Sequence, residues 1–161
     1  MTKFDRMWLA MCSQSSALSN CPRLKCACIL VNPARNTPIA FGYNGAARNC
    51  SKLCGGDTIC LRDVEQIESG KEVQIGCVHA EMNAICNAAA QGTSTTGAHA
   101  YITGYPCLMC AKLLHQAGIV KVYMNASNYS EEGKQFLRSA GVECIVIFPS
   151  PMELSKPITR C

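Results

Sequence analysis

The hydrophobic and polar positions of this chain fall into successive rhythms, and each rhythm predicts an element. Between Thr2 and Ser19, the residues Phe4, Met7, Trp8, Met11 and Ser15 lie near helical spacing behind the candidate N-cap Thr2, which predicts a helix. Asn20-Cys21-Pro22 stops it. Lys25 to Val31 reads as a buried strand, Asn32 to Thr37 as a turn and Pro38 to Tyr43 as a second strand, so an antiparallel hairpin is expected. From Cys77 the spacing is helical again, with Met82, Ile85 and Ala89 on one face, ending near Gly92. There follow a strand at Ala98–Thr103, a helix at Pro106–Ala117 stopped by Gly118, a strand at Ile119–Met124, a helix at Glu131–Ala140 closed by Gly141, and a strand at Val142–Phe148.

Helix and strand alternate in the second half, which predicts parallel strands with helices on the faces of the sheet, while the opening hairpin makes the sheet mixed. The expected class is α/β, in a single domain over 1–161. Two stretches stand apart. A Cys-rich insertion at about 45–77 shows no periodicity and is too long for an ordinary loop, so it is either functional or pinned by something inorganic. The tail from about 149 reads as irregular.

Composition narrows the function. With 48% hydrophobic and 16% charged residues the chain is not disordered. Its longest apolar runs are strand-sized, so no membrane partner is expected. Fifteen basic against eleven acidic residues give +4 with no basic run, which fits a small phosphorylated ligand and argues against a nucleic-acid partner. Thirteen cysteines would suggest disulfides in a secreted chain, but Met1 to Asn20 holds no apolar signal-like core. A reduced, cytoplasmic setting is therefore expected, where cysteines serve as metal ligands or small core residues.

The chemistry lies in two short motifs. His79-Ala80-Glu81 opens one predicted helix, and Pro106-Cys107-Leu108-Met109-Cys110 opens another. This is the H-x-E…P-C-x-x-C pattern of zinc deaminases. Cys107 and Cys110 are three apart, so both thiols face one side of a first helical turn, where the helix favours thiolates. His79 adds a nitrogen ligand. Two thiolates and an imidazole leave the fourth tetrahedral position of a zinc ion open, the arrangement of a catalytic site. Glu81 is left over, two residues from His79, as the proton carrier. A lone C-x-x-C is also compatible with a structural half-site, and a lone His with a helix cap. The coincidence of both motifs at Ala-rich helix starts favours catalysis. The alternative from another class is a zinc-stabilised binding module without turnover, which has no use for Glu81. His99 and His115 lack ligand partners nearby in sequence and read as ordinary structure.

His79 to Ile85, Pro106 to Cys110, Gly42-Tyr43-Asn44-Gly45 and Cys21-Pro22-Arg23-Leu24-Lys25 resemble the deoxycytidylate (dCMP) deaminases of the cytidine deaminase-like superfamily, over roughly residues 4 to 147. The resemblance implies a three-layer α/β/α sandwich with a five-stranded mixed sheet. It implies hydrolysis of dCMP to dUMP and ammonia with Zn2+ as cofactor, where activated water adds to C4 and Glu81 protonates N3 and later the leaving amine. Asn44 then matches the sugar-contacting asparagine, and the Ala80 N–H would orient the base. Activation by dCTP and inhibition by dTTP are implied at a second site using Gly42, Tyr43 and Gly45 with Arg23 or Lys25, with Mg2+ accompanying the triphosphate, in a homohexamer. Ala27 and Ala47 stand where the family often has Gly and Pro. Another deaminase of the superfamily, such as one acting on a tRNA adenosine, is the alternative within enzymes.

The remaining cysteines suggest a second metal. An irregular segment of about 30 residues costs about 1–2 kcal/mol of ordering entropy per residue, with few large apolar side chains to offset it. A closed structural zinc site would contribute directly to folding. Some members of the resembling family carry a second zinc; by motif position Cys21 matches one ligand and Cys54 another, with Cys50 as the rival of Cys54, while Cys60 and Cys77 would complete a four-thiolate set.

Overall fold

The computed structural model describes residues 1–50, 54, 58–68 and 75–148. The tail from about 149 and parts of the insertion (51–53, 55–57 and 69–74) lie outside the described residues. The elements run α1 (Lys3–Ser15), a 3-10 turn (Ser16–Leu18), β1 (Ala27–Asn32), β2 (Thr37–Tyr43), α2 (Leu61–Val64), α3 (Ala80–Ala90), β3 (His99–Ile102), α4 (Leu108–Gln116), β4 (Lys121–Asn125), α5 (Glu132–Ser139) and β5 (Glu143–Ile147).

The five strands form one sheet in the order β2-β1-β3-β4-β5. β1 is antiparallel to both β2 and β3, and β3, β4 and β5 are mutually parallel. This is the mixed sheet that the element order implied.

Strand alternation divides the core between two faces. Cys28, Leu30, Ala100, Ile102, Val122 and Met124 point to the face covered by α3, α4 and α5, where Ala80, Ala84, Ala111, Leu114 and Leu137 meet them. Ala27, Ile29, Val31, Tyr101 and Tyr123 point to the opposite face, against Trp8 and Cys12 of α1. Three layers, α/β/α, follow.

α1 forms where its sequence signals placed it, with a capping box at Thr2 in which the hydroxyl accepts from the Asp5 N–H and the Asp5 carboxylate accepts from the Thr2 N–H. Its buried face differs from the one expected. Asp5, Trp8 and Cys12 are buried, whereas Phe4, Met7 and Met11 are exposed. Asp5 is drawn inward because Tyr101 beneath it donates a 2.8 Å hydrogen bond to its carboxylate. A buried polar group with a partner outweighs the apolar count that sequence spacing relies on.

α3 lies directly on the hairpin. Gly42 makes this possible: a Cβ there would stand 2.4 Å from both the Ala80 carbonyl oxygen and the Ala84 nitrogen. Asn83 and Asn87, one turn apart, donate through Nδ2 to the carbonyls of Tyr43 (2.8 Å) and Phe41 (2.9 Å). These bonds cap main-chain acceptors of the edge strand β2, which would otherwise be open to pairing with another chain.

Candidate active site

Two helix starts meet at the carboxyl end of β3. His79 is the N-cap of α3 and Cys107 the N-cap of α4. The sequence had placed Pro106 and Cys107 inside the helix; the helix begins two residues later, at Leu108, because the Cys107 sulfur takes the capping role and accepts from the Cys110 N–H at 3.4 Å.

His79 Nδ1 lies 3.5 Å from the sulfurs of both Cys107 and Cys110. The three ligand atoms fall within 4.8 Å of one another, and no other group of three among the described residues does so. These spacings can be tested against zinc. Bonds of about 2.3 Å to sulfur and about 2.05 Å to nitrogen at a tetrahedral angle set the two atoms about 3.6 Å apart. The observed separations are edges of such a tetrahedron, and the donor set of two thiols and an imidazole suits zinc.

The electrostatics agree with that use. A hydrogen bond from the Cys110 thiol holds Cys107 well below the ordinary thiol range, and the same bond pushes Cys110 up. The Cys107 sulfur in turn raises His79 above 6.5, with burial opposing it. Glu81, in the first turn of α3, is buried, and burial raises its carboxyl above 4.5; hydrogen bonding to its own N–H and to Cys110 acts in the opposite direction. A buried carboxyl that holds its proton more tightly than a free one, beside a candidate metal site, is suited to move protons.

Asn44 is buried and fully built into the loop before β1. Its Oδ1 accepts from the Cys26 N–H at 2.7 Å, its Nδ2 donates to the Leu24 carbonyl at 2.7 Å, and its own carbonyl accepts from Ser19. The Asn44 side chain also hydrogen-bonds the Cys21 thiol, so only Oδ1 keeps one further bonding position. Ala80 opens α3, where the first N–H groups of a helix have no intrahelical acceptor. Gly42 is taken up by the contact with α3, Tyr43 is partly exposed, and Gly45 forms a bridge with Val78, next to His79. Arg23 pairs with Asp63 at 3.2 Å and donates to the Ile67 carbonyl. Lys25 is exposed.

The second cysteine group is partly gathered. The sulfurs of Cys54 and Cys77 are 3.1 Å apart, and Cys21 hydrogen-bonds to Cys77, which lowers the Cys21 thiol and raises that of Cys77. Cys60 is buried beside them in the chain, where the Leu61 N–H donates to the Cys54 carbonyl. Cys50 is exposed and stands apart as an isolated bridge partner of Ala47.

Two residues near the site escaped the sequence reading. Arg62 on α2 donates to the carbonyls of Glu68 (2.8 Å) and Ile75 (3.4 Å). Tyr129 sits in the loop after β4, half-buried, within electrostatic range of Cys107, Cys110 and Glu81. Neither carries a motif signal. An arginine in an aperiodic segment and a tyrosine in a polar loop are both ordinary sequence.

Residues 2–126 match the family described as "Cytidine and deoxycytidylate deaminase zinc-binding region". The chain is 34% identical over 122 residues to a probable deoxycytidylate deaminase of Drosophila melanogaster, covering 73% of this chain and 58% of that protein. It is 33% identical over 145 residues to ComE operon protein 2 of Bacillus subtilis, covering 86% and 68%. It thus spans little more than half of the fly protein's length. A crystal structure of dCMP deaminase from the cyanophage S-TIM5 in complex with dCMP and dUMP superposes with a TM-score of 0.72 at 27% identity, over 91% of this chain and 99% of that one. The helix starts that carry His79 and Glu81, and Cys107 and Cys110, lie within the matched residues, and the chain belongs to the cytidine and deoxycytidylate deaminase zinc-binding family.

Proposed function

We propose that this protein hydrolyses dCMP to dUMP and ammonia. One observation carries the reading: three ligand atoms spaced as a zinc tetrahedron with a buried carboxyl, Glu81, against them. When bound by His79, Cys107 and Cys110, zinc supplies the Lewis acidity that makes water a nucleophile near neutral pH. The chain's own residues do the rest. Glu81 takes one proton from the attacking water and delivers it to N3 of cytosine, where the product keeps it; it then takes the remaining proton of the new C4 hydroxyl and delivers it to the amine, which leaves as ammonia while the C4 carbonyl forms. The first-turn N–H of Ala80 orients the base, and the remaining acceptor position on Asn44 Oδ1 meets the sugar. The test is purified protein offered dCMP, CMP, deoxycytidine and dCTP, with products read by mass spectrometry. dUMP as the main product is expected; turnover of a different substrate alone would refute the reading.

Regulation belongs to the same proposal. Lys25, Tyr43 and Gly45 are brought together because Asn44 ties its loop to residues 24–26, and that grouping, with Arg23, supports a site where dCTP with Mg2+ activates and dTTP inhibits. A ligand shifts activity only through differential binding to two states, so kinetics that ignore both triphosphates would refute this. The hexameric assembly and the cytoplasmic setting are parts of the same reading; the latter is supported by twelve unpaired cysteines among the described residues. A second, structural zinc held by Cys21, Cys54, Cys60 and Cys77 completes it, supported by the contacts of Cys77 with Cys54 and Cys21.

A further inference from the structure

In the proposed reaction Asn44 meets the sugar, so the open acceptor position on its Oδ1 has to stand at a fixed place relative to Ala80 and the metal ligands. Three of its bonds hold it from one side. Its main-chain N–H donates to the Cys26 carbonyl at 3.1 Å, Oδ1 accepts from the Cys26 N–H, and Nδ2 donates to the Leu24 carbonyl. All three lead to the entry of β1. The connection toward α3 runs through the next peptide instead. The Gly45 N–H donates to the Val78 carbonyl at 3.2 Å, and the Val78 N–H donates back to the Gly45 carbonyl at 2.8 Å, one residue before His79.

Gly45 brings no side chain to this junction, and a Cβ placed there would meet nothing within 4 Å, so hydrogen bonds rather than packing hold its main chain. The Asn44 carbonyl and the Gly45 N–H belong to one planar peptide unit. Different parts of the chain hold its two ends: Val78 accepts from the N–H, and Ser19 Oγ donates to the carbonyl at 2.6 Å. Ser19 is itself fixed. It closes the 3-10 turn after α1, where its N–H donates to the Ser16 carbonyl at 3.0 Å, and its Oγ accepts from the Cys21 N–H at 3.1 Å. A serine hydroxyl has one proton to give. With the Cys21 N–H on its acceptor side, that proton goes to Asn44, and at 0% exposure no solvent substitutes for it.

We infer that Ser19 is a positioning residue for substrate binding: its hydroxyl holds the carbonyl end of the Asn44–Gly45 peptide while Val78 holds the N–H end, and so sets Asn44 relative to the helix start that carries His79 and Ala80. The inference rests on the dCMP reading with Asn44 at the sugar, and one experiment separates the two. Wild type, Ser19→Ala and Ser19→Cys are compared for kcat and KM on dCMP, for zinc content and melting temperature, and for amide hydrogen exchange at Gly45 and Val78 by NMR. A wild type that does not turn over dCMP refutes the reading of the reaction and takes the sugar role with it. In an active wild type the inference stands or falls on the variants. Ser19→Ala is expected to raise KM by about 3–10-fold, the range of one neutral hydrogen bond. A sugar contact is made alike in the ground state and the transition state, so kcat should stay within about twofold. Exchange at Gly45 should quicken. Ser19→Cys keeps a weak donor of similar size and should show a smaller rise in KM. Ser19→Ala with a lower melting temperature and an unchanged KM would overturn the inference and leave Ser19 as a tie of the fold alone. A rise in KM accompanied by lost zinc would trace the effect to the metal sites and overturn it as well. If Ser19→Ala does not fold, KM in Ser19→Cys decides, and an unchanged value there overturns the inference.

Discussion

Two groups of thiols flank His79, and they are built on different supports. Cys107 and Cys110 sit at the start of α4, which is fixed by Ala111 and Leu114 in the core and by the first turn of α5 pressed against Pro106. Cys54 and Cys77 come from the insertion, where α2 has four residues and no buried one. The supports leave a mark in the spacing. His79 stands 3.5 Å from each sulfur, close to the edge of about 3.6 Å expected around zinc, so that site has its geometry ready. Cys54 and Cys77 are 3.1 Å apart, well inside the edge of about 3.8 Å for two thiolates on one zinc. The first site is held open by the fold; the proposed second site would have to be spread by its ion. A catalytic site benefits from that rigidity, because its fourth position must remain available. A structural site draws its order from the metal.

The largest effect should fall on the first group. Glu81→Gln removes the proton carrier and leaves His79, Cys107 and Cys110 in place. Turnover should drop by about 10²–10⁴-fold, with zinc at the first site unchanged by elemental analysis. Near wild-type rates would remove Glu81 from its assigned role.

The second group should respond in metal content. Wild type is expected to hold two zinc ions per chain and Cys54→Ser one, with faster proteolysis within 45–77 as the insertion loses its tie. A single ion in clean wild type would eliminate the second site and leave the thiols as buried packing. The same variant sharpens the contrast: a rigid first site should keep its zinc through mild chelation that strips the second.

The fold was largely legible because its signals are local. Periodicity, the capping residue Thr2 and the stops at Gly118 and Gly141 each depend on a few neighbours, and the five strands appeared where expected. The grouping of the candidate metal ligands His79, Cys107 and Cys110 was legible for a related reason: H-x-E and P-C-x-x-C place these residues by helix geometry within single turns. The short helix α2 was not legible, since Leu61–Val64 is one turn held by Arg62 and Arg23 reaching distant carbonyls and Asp63. The inward face of α1 was misjudged because the Asp5 partner, Tyr101, lies 96 residues away. Contacts of that span are a property of the packed sheet, which no window of sequence contains.

Asp5 offers the smallest and most selective probe, because it lies on the face of the sheet opposite to α3 and α4. Burial acts to raise its carboxyl, but hydrogen bonds from the Thr2 N–H, the Tyr101 hydroxyl and the Thr2 hydroxyl outweigh it, so the group is held below its ordinary 3.8. A depressed folded value means that the ionised carboxylate contributes stability above about pH 4, and that this contribution is lost as the pH falls through the folded value. Asp5→Asn should therefore cost about 1–3 kcal/mol near neutral pH, as for a buried charged hydrogen bond combined with a weakened cap. For a chain of this size that corresponds to about 2–4 °C of melting temperature per kcal/mol. The gap between variant and wild type should narrow below pH 4, and zinc content at neutral pH should match wild type. If the variant instead released zinc at pH 7, the two faces would be coupled through β3, and the rigidity ascribed to the first thiol group would depend on α1 as well as on the helices that carry the ligands.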